Sequence, residues 1–178
     1  MLKGIHAVRW HELQDACGPA RDVPDLLSRA AWGDAPSSRD AIDRLKDHIC
    51  ELGFVVREAT APTIPFLVEL AEAPHIQCRP EILDLLLSIA RANQWSNAAA
   101  AMPSDRAGDY AEPLDWERAC RSALHDAAPS LQKLASSLES DVAQPAREII
   151  QLLKGSDDSG RQSHEHAPRQ RMDPWMSQ

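Results

Sequence analysis

Nucleophilic catalysis needs a thiol or hydroxyl beside a base, with a third group holding that base in place. Cys17, in Ala16-Cys17-Gly18-Pro19, carries no local signature of a catalytic cysteine, and no G-x-S-x-G elbow occurs in the chain. The histidines offer little more. His6 and His11 lie in an N-terminal leader, His48 and His125 fall within expected helices, His164 and His166 lie in the C-terminal tail, and none completes H-E-x-x-H. His75 and Cys78 are three apart and Cys120 and His125 five apart, but neither pair has two further ligands at helical spacing. No catalytic residue, metal ligand or cofactor site is expected. All four cysteines, Cys17, Cys50, Cys78 and Cys120, read as buried free thiols of a reducing compartment.

The carboxylates remain. Acid and base work by a pair such as Asp40 and Asp43, or Asp105 and Asp109, requires environments that drive the two pKa values apart, and nothing in the sequence supplies that difference. Solvated carboxylates are the expectation. The seven glycines are scattered as helix stops and turns, so no phosphate-cradling loop exists. The chemistry left to the chain is recognition of another molecule.

What would position such a surface is helical. Val23 and Pro24 open a segment with Leu26, Leu27 and Ala30; a polar break holds Asp34; Arg39 then leads into Ile42, Leu45 and Ile49. The order recurs: Ile64 and Pro65 open Phe66, Leu67 and Leu70, a break falls at Pro74, and Arg79 leads into Ile82, Leu85 and Ile89. In both copies the apolar residues stand three, six and ten positions after the arginine, on one face of a 3.6-residue helix. The arginines are 40 residues apart, a period typical of stacked helix pairs. A weaker third copy runs through Pro129, Leu131, Leu134 and Leu138, then Ala146, Ile149, Leu152 and Leu153, with Arg147 beside the position of the earlier arginines. Asp115 reads as the N-cap of a further helix reaching Ala127. Residues 93–113 interrupt the array as an insertion, and 155–178 lack periodicity and read as a flexible tail.

From Val23 to about Lys154 this arrangement resembles HEAT repeats, and the lead-in Trp10-x-x-Leu13-x-x-Ala16-x-Gly18-x-Ala20-x-Asp22-Val23-Pro24 is similar to that of bacterial HEAT-repeat proteins of comparable length. The resemblance implies an all-α fold, a short right-handed α-solenoid of about three HEAT-like helix pairs over residues 1–154. It also implies prolines near the start of each first helix, and arginines at 39 and 79 that tie adjacent repeats together. Some HEAT-like folds are alkylpurine DNA glycosylases with a catalytic Asp near aromatic residues, and Asp115 with Trp116 is a faint echo of them. That alternative needs a basic face, whereas this chain has a formal net charge of −8 and no Lys/Arg-rich helix.

The second helices of a solenoid line one continuous surface. Asp40, Asp43, Asp47, Glu51, Glu81 and Asp84 would make it negative and attract a basic partner. Trp95 and Tyr110, in the insertion, read as the aromatics least needed for the core and as interface candidates. Residues 1–13 contain no apolar run of a secretory signal, and no window could span a membrane. The expectation is a cytoplasmic, non-enzymatic protein-binding module: an immunity or inhibitor-type protein covering a basic toxin or effector domain, binding neither nucleic acid nor membrane. A general assembly scaffold is the other non-enzymatic alternative.

Overall fold

A computed structural model describes residues 1–103 and 106–162. The chain is mostly helical, as expected, with helices α1 (Val23–Trp32), α2 (Ala35–Ile49), α3 (Thr60–Glu72), α4 (Arg79–Arg91), α5 (Gln94–Ala101), α6 (Ala111–Asp126), α7 (Ala128–Ala135) and α8 (Ser140–Gln162). Two short antiparallel hairpins accompany them, one ahead of α1, β1 (Gln14–Asp15) with β2 (Gly18–Pro19), and one between α2 and α3, β3 (Cys50–Glu51) with β4 (Val55–Val56).

The apolar periodicity places the core. Leu26, Leu27 and Ala30 of α1, Ile42, Leu45 and Ile49 of α2, Leu67 and Leu70 of α3, and Ile82, Leu85 and Ile89 of α4 are all buried. They belong to one continuous cluster that also takes in Leu131 and Leu134 of α7 and Ile149 and Leu153 of α8. Consecutive helices pack as α1 on α2, α3 on α4 and α7 on α8, while α2 packs on α4 and α4 on α8. Between the second and third pairs stand α5 and α6, and α6 packs against α3.

Local chemistry sets the ends. Asp34 caps α2, its carboxylate accepting from the Ser37 amide at 2.9 Å; the Ser37 hydroxyl and amide together hold that carboxyl below its ordinary range. Gly33 is required just before it, because a Cβ there would stand 2.6 Å from the Arg29 carbonyl oxygen. Prolines occupy the first turn of α1, α2, α4 and α7, where no amide donor is needed.

Several expectations are corrected. Pro65 does not open its helix: α3 starts at Thr60 and carries Pro65 in its interior, since the Thr60 hydroxyl can cap the preceding turn by accepting from the Arg57 amide at 2.8 Å. Asp115 is not an N-cap: α6 begins at Ala111, and Asp115 is an exposed carboxylate paired with Arg118 one turn on. Within residues 93–113 lie α5 and the start of α6. Helix α8 runs through Gly155 to Gln162, and the rest of the expected tail, 163–178, with His164 and His166, lies outside the described residues, as does Asp105. Cys50, Cys78 and Cys120 are buried as expected, but Cys17 is exposed, because it sits in the two-residue turn between β1 and β2.

Candidate functional site

Helix α2 presents Asp40, Asp43 and Asp47 at i, i+3 and i+7, which aligns them on one exposed side. Their surroundings differ. Asp40 accepts from Arg29 of α1 at 3.0 Å. Glu81 of α4 accepts from Arg39 of α2 at 2.9 Å, a link between two packed helices. Asp43, Asp47 and Asp84 are exposed, and among the described residues no cationic group lies within 4 Å of them. Glu51 is bound by Arg57. Arg39, Arg44 and Lys46 share α2 with the three aspartates, so the expected negative stripe is a mixed surface in which three carboxylates remain available. Just beyond α2, the β3–β4 loop exposes Leu52 and Phe54, 77% and 44% accessible; Leu52 adopts a left-handed φ of 55°. A bulky side chain held outward in that conformation is uncommon.

Trp95 is not spare to the core. Its indole N–H donates to the Val56 carbonyl at 3.0 Å, its ring meets Tyr110 at 6.4 Å and Trp116 at 6.3 Å, and the Arg57 guanidinium lies 5.7 Å from its centroid. Its amide donates to Glu117 of α6 at 2.7 Å, and the Ser96 amide to the same carboxylate at 3.2 Å, with the Ser96 hydroxyl beside it. Glu117 is 2% exposed and serves as the missing N-terminal cap of α5. Tyr110 is half-buried against Trp95. Trp116, the aromatic half of the glycosylase echo, is engaged in the same cluster. Beyond it, Arg91 and Glu148, paired at 2.6 Å, and Arg121 line an open cleft of about 690 Å³ between α4, α6 and α8.

The structure also joins three residues that spacing had kept apart. Asp15, Cys17 and His48 come together where the β1–β2 turn meets the last turn of α2. The Asp15 side chain is 1% exposed; one oxygen accepts from the Cys17 amide at 2.7 Å and the other lies 2.7 Å from His48 Nδ1. The backbone holds the turn on both sides: the Ala16 amide donates to the His48 carbonyl at 2.8 Å, and the Ala59 amide to the Gln14 carbonyl at 3.0 Å. Gly18, at φ 126°, supplies the conformation that returns the chain into β2. Residues 33 apart with no shared period give no sequence signal.

Arg39 and Arg79 each bond outside their own helix. Arg39 reaches Glu81 of the second unit. Arg79 donates from Nε to the Ala71 carbonyl at 2.8 Å and from Nη1 to both oxygens of Glu139, at 2.9 and 3.1 Å, ahead of α8. Arg147 donates to the Ala135 carbonyl at 2.9 Å, closing α7 onto α8. No helix among the described residues is long and apolar enough to cross a membrane. No family model matches the chain, and no curated protein or solved structure is significantly similar to it.

Proposed function

We propose that this chain is a HEAT-like α-solenoid of about three helix pairs that acts in the cytoplasm by binding another protein. Its partner is a basic domain, of the kind presented by a toxin or effector, and the chain works as an immunity or inhibitor-type protein without catalysis. The stacking supports the architecture: α2, α4 and α8 contact one another in turn, as second helices of a repeat array do, and Arg39 and Arg79 bridge successive units. The observation that carries the binding reading is the set of exposed carboxylates Asp43, Asp47 and Asp84 on α2 and α4, with no cationic group within 4 Å among the described residues, together with the exposed Leu52 and Phe54 in the loop just after α2. Long-range attraction to a basic surface speeds encounter, and apolar anchors at the rim supply residence.

The test is capture from native cells on the tagged full chain, followed by binding measurements with the recovered protein. A single basic protein partner is expected, with association slowed at least tenfold by D43K/D47K and slowed by added salt. Recovery of nucleic acid alone would overturn the reading and favour the glycosylase-like alternative; several unrelated partners would favour a scaffold.

A further inference from the structure

We propose that Asp15, Cys17 and His48 form a binding site for a divalent cation of the zinc type. The Cys17 sulfur, a His48 ring nitrogen and an Asp15 carboxylate oxygen all lie within 4.8 Å of one another. Thiolate, imidazole and carboxylate are the three side-chain donors zinc accepts, and mixed S, N and O sets favour it over calcium or magnesium, which take oxygen alone.

Entry of the cation needs the Asp15–His48 pair to open slightly and the Cys17 sulfur to close onto it from a separation of at most 4.8 Å. Asp15 and His48 Nδ1 are joined by one hydrogen bond, with one bridging proton, across 2.7 Å. Two ligands of a tetrahedral cation with bonds of about 2.0 Å stand about 3.3 Å apart, so the cation displaces that proton, which passes to the other ring nitrogen of His48 or to solvent, and opens the pair by roughly half an ångström. The Cys17 thiol loses its proton in the same event. Cys17 is exposed, so the sulfur closes the site from the solvent side and the fourth position is open to water.

Preorganisation distinguishes the cluster from a chance meeting of side chains. Asp15 is buried and oriented by the Cys17 amide, the turn is fixed to α2 through the Ala16 amide and to the start of α3 through Gln14, and His48 is 12% exposed. Each donor therefore comes from a segment held by backbone hydrogen bonds, which keeps the ordering cost of binding low. The cation would cross-link the N-terminal hairpin to α2.

Cobalt(II) titration of the reduced, metal-free full chain tests this, because a cobalt–thiolate bond gives a charge-transfer band in the near ultraviolet. One equivalent is expected to bind with that band, and zinc to displace it. Cys17→Ser, at an exposed position, is expected to abolish the band with the far-ultraviolet circular dichroism unchanged, and His48→Gln to weaken binding at least tenfold. Cys78→Ala and the pair His164→Ala/His166→Ala are expected to leave it unchanged. Absence of a thiolate band, its persistence in Cys17→Ser, or its loss in the tail variant would overturn the site. The outcome is independent of whether the chain binds a basic protein.

Discussion

Arg39 and Arg79 occupy the same place in two copies of one pattern, yet their environments differ. Arg39 is exposed on α2 and pairs with Glu81 across solvent-accessible surface. Arg79 is 8% exposed, and its guanidinium spans a backbone carbonyl at the end of α3 and a carboxylate ahead of α8. The lesson is that a repeat preserves the direction of a bond more faithfully than its energy. An exposed pair is weakened by screening and side-chain entropy, about 0–1 kcal/mol, whereas a buried charged donor to a carbonyl is worth about 1.5–3 kcal/mol.

Arg79→Ala should therefore have the largest effect, costing about 3 kcal/mol by urea unfolding, since it orphans the Ala71 carbonyl and leaves a void. Because Glu139 is itself exposed, a double-mutant cycle with Glu139→Ala should return a coupling under about 1 kcal/mol, and a larger coupling would relocate the energy from the carbonyl to the ion pair. Glu117→Ala offers a third kind of buried anchor, a carboxylate serving helix amides. It should cost about 2 kcal/mol and lower helicity at α5, read by hydrogen exchange at Trp95 and Ser96.

Ionisation of the buried thiols comes next. Burial pushes Cys50 up to about 11 and Cys120 to about 12 from an ordinary value of 9.0, and Cys50 adds to the shift at Cys120. Between these values the unfolded chain loses thiol protons that the folded chain keeps, so stability is full below pH 9 and falls as pH rises toward 12. Replacing both residues by alanine should flatten that part of the profile of urea midpoint against pH. Arg39→Ala should have the smallest effect, at or below about 1 kcal/mol and diminishing with added salt. A cost equal to that of Arg79→Ala would erase the contrast between the two junctions.

The distinction also explains what could be read in the sequence. The 3.6-residue spacing around Ile42, Leu45 and Ile49, and again around Ile82, Leu85 and Ile89, marks α2 and α4 because each helix buries one face along its whole length. The hairpins had no such mark: strands of two residues carry no period. Thr60 starts its helix ahead of Pro65, its hydroxyl bonded to the Ile49 carbonyl 11 positions back, a partner that no local preference announces, and Ala111 starts another ahead of Asp115. Of the expected surface residues, Asp43, Asp47 and Asp84 stand exposed, while Trp95 is tied inward by a carbonyl 39 positions away that no local pattern announces. Asp15 and His48 went unseen for the same reason.

The ring cluster at the α5–α6 corner also has an optical consequence. Trp95 and Trp116 meet nearly edge-on, with planes 78° apart and centroids 6.3 Å apart, close enough for their excited states to couple. Undocking α5 would collapse that coupling while Trp32, 63% exposed at the end of α1, continued to emit as a solvated indole. Circular dichroism in the aromatic bands would then follow one corner of the fold, and iodide quenching of fluorescence would follow the other, in a single unlabelled sample.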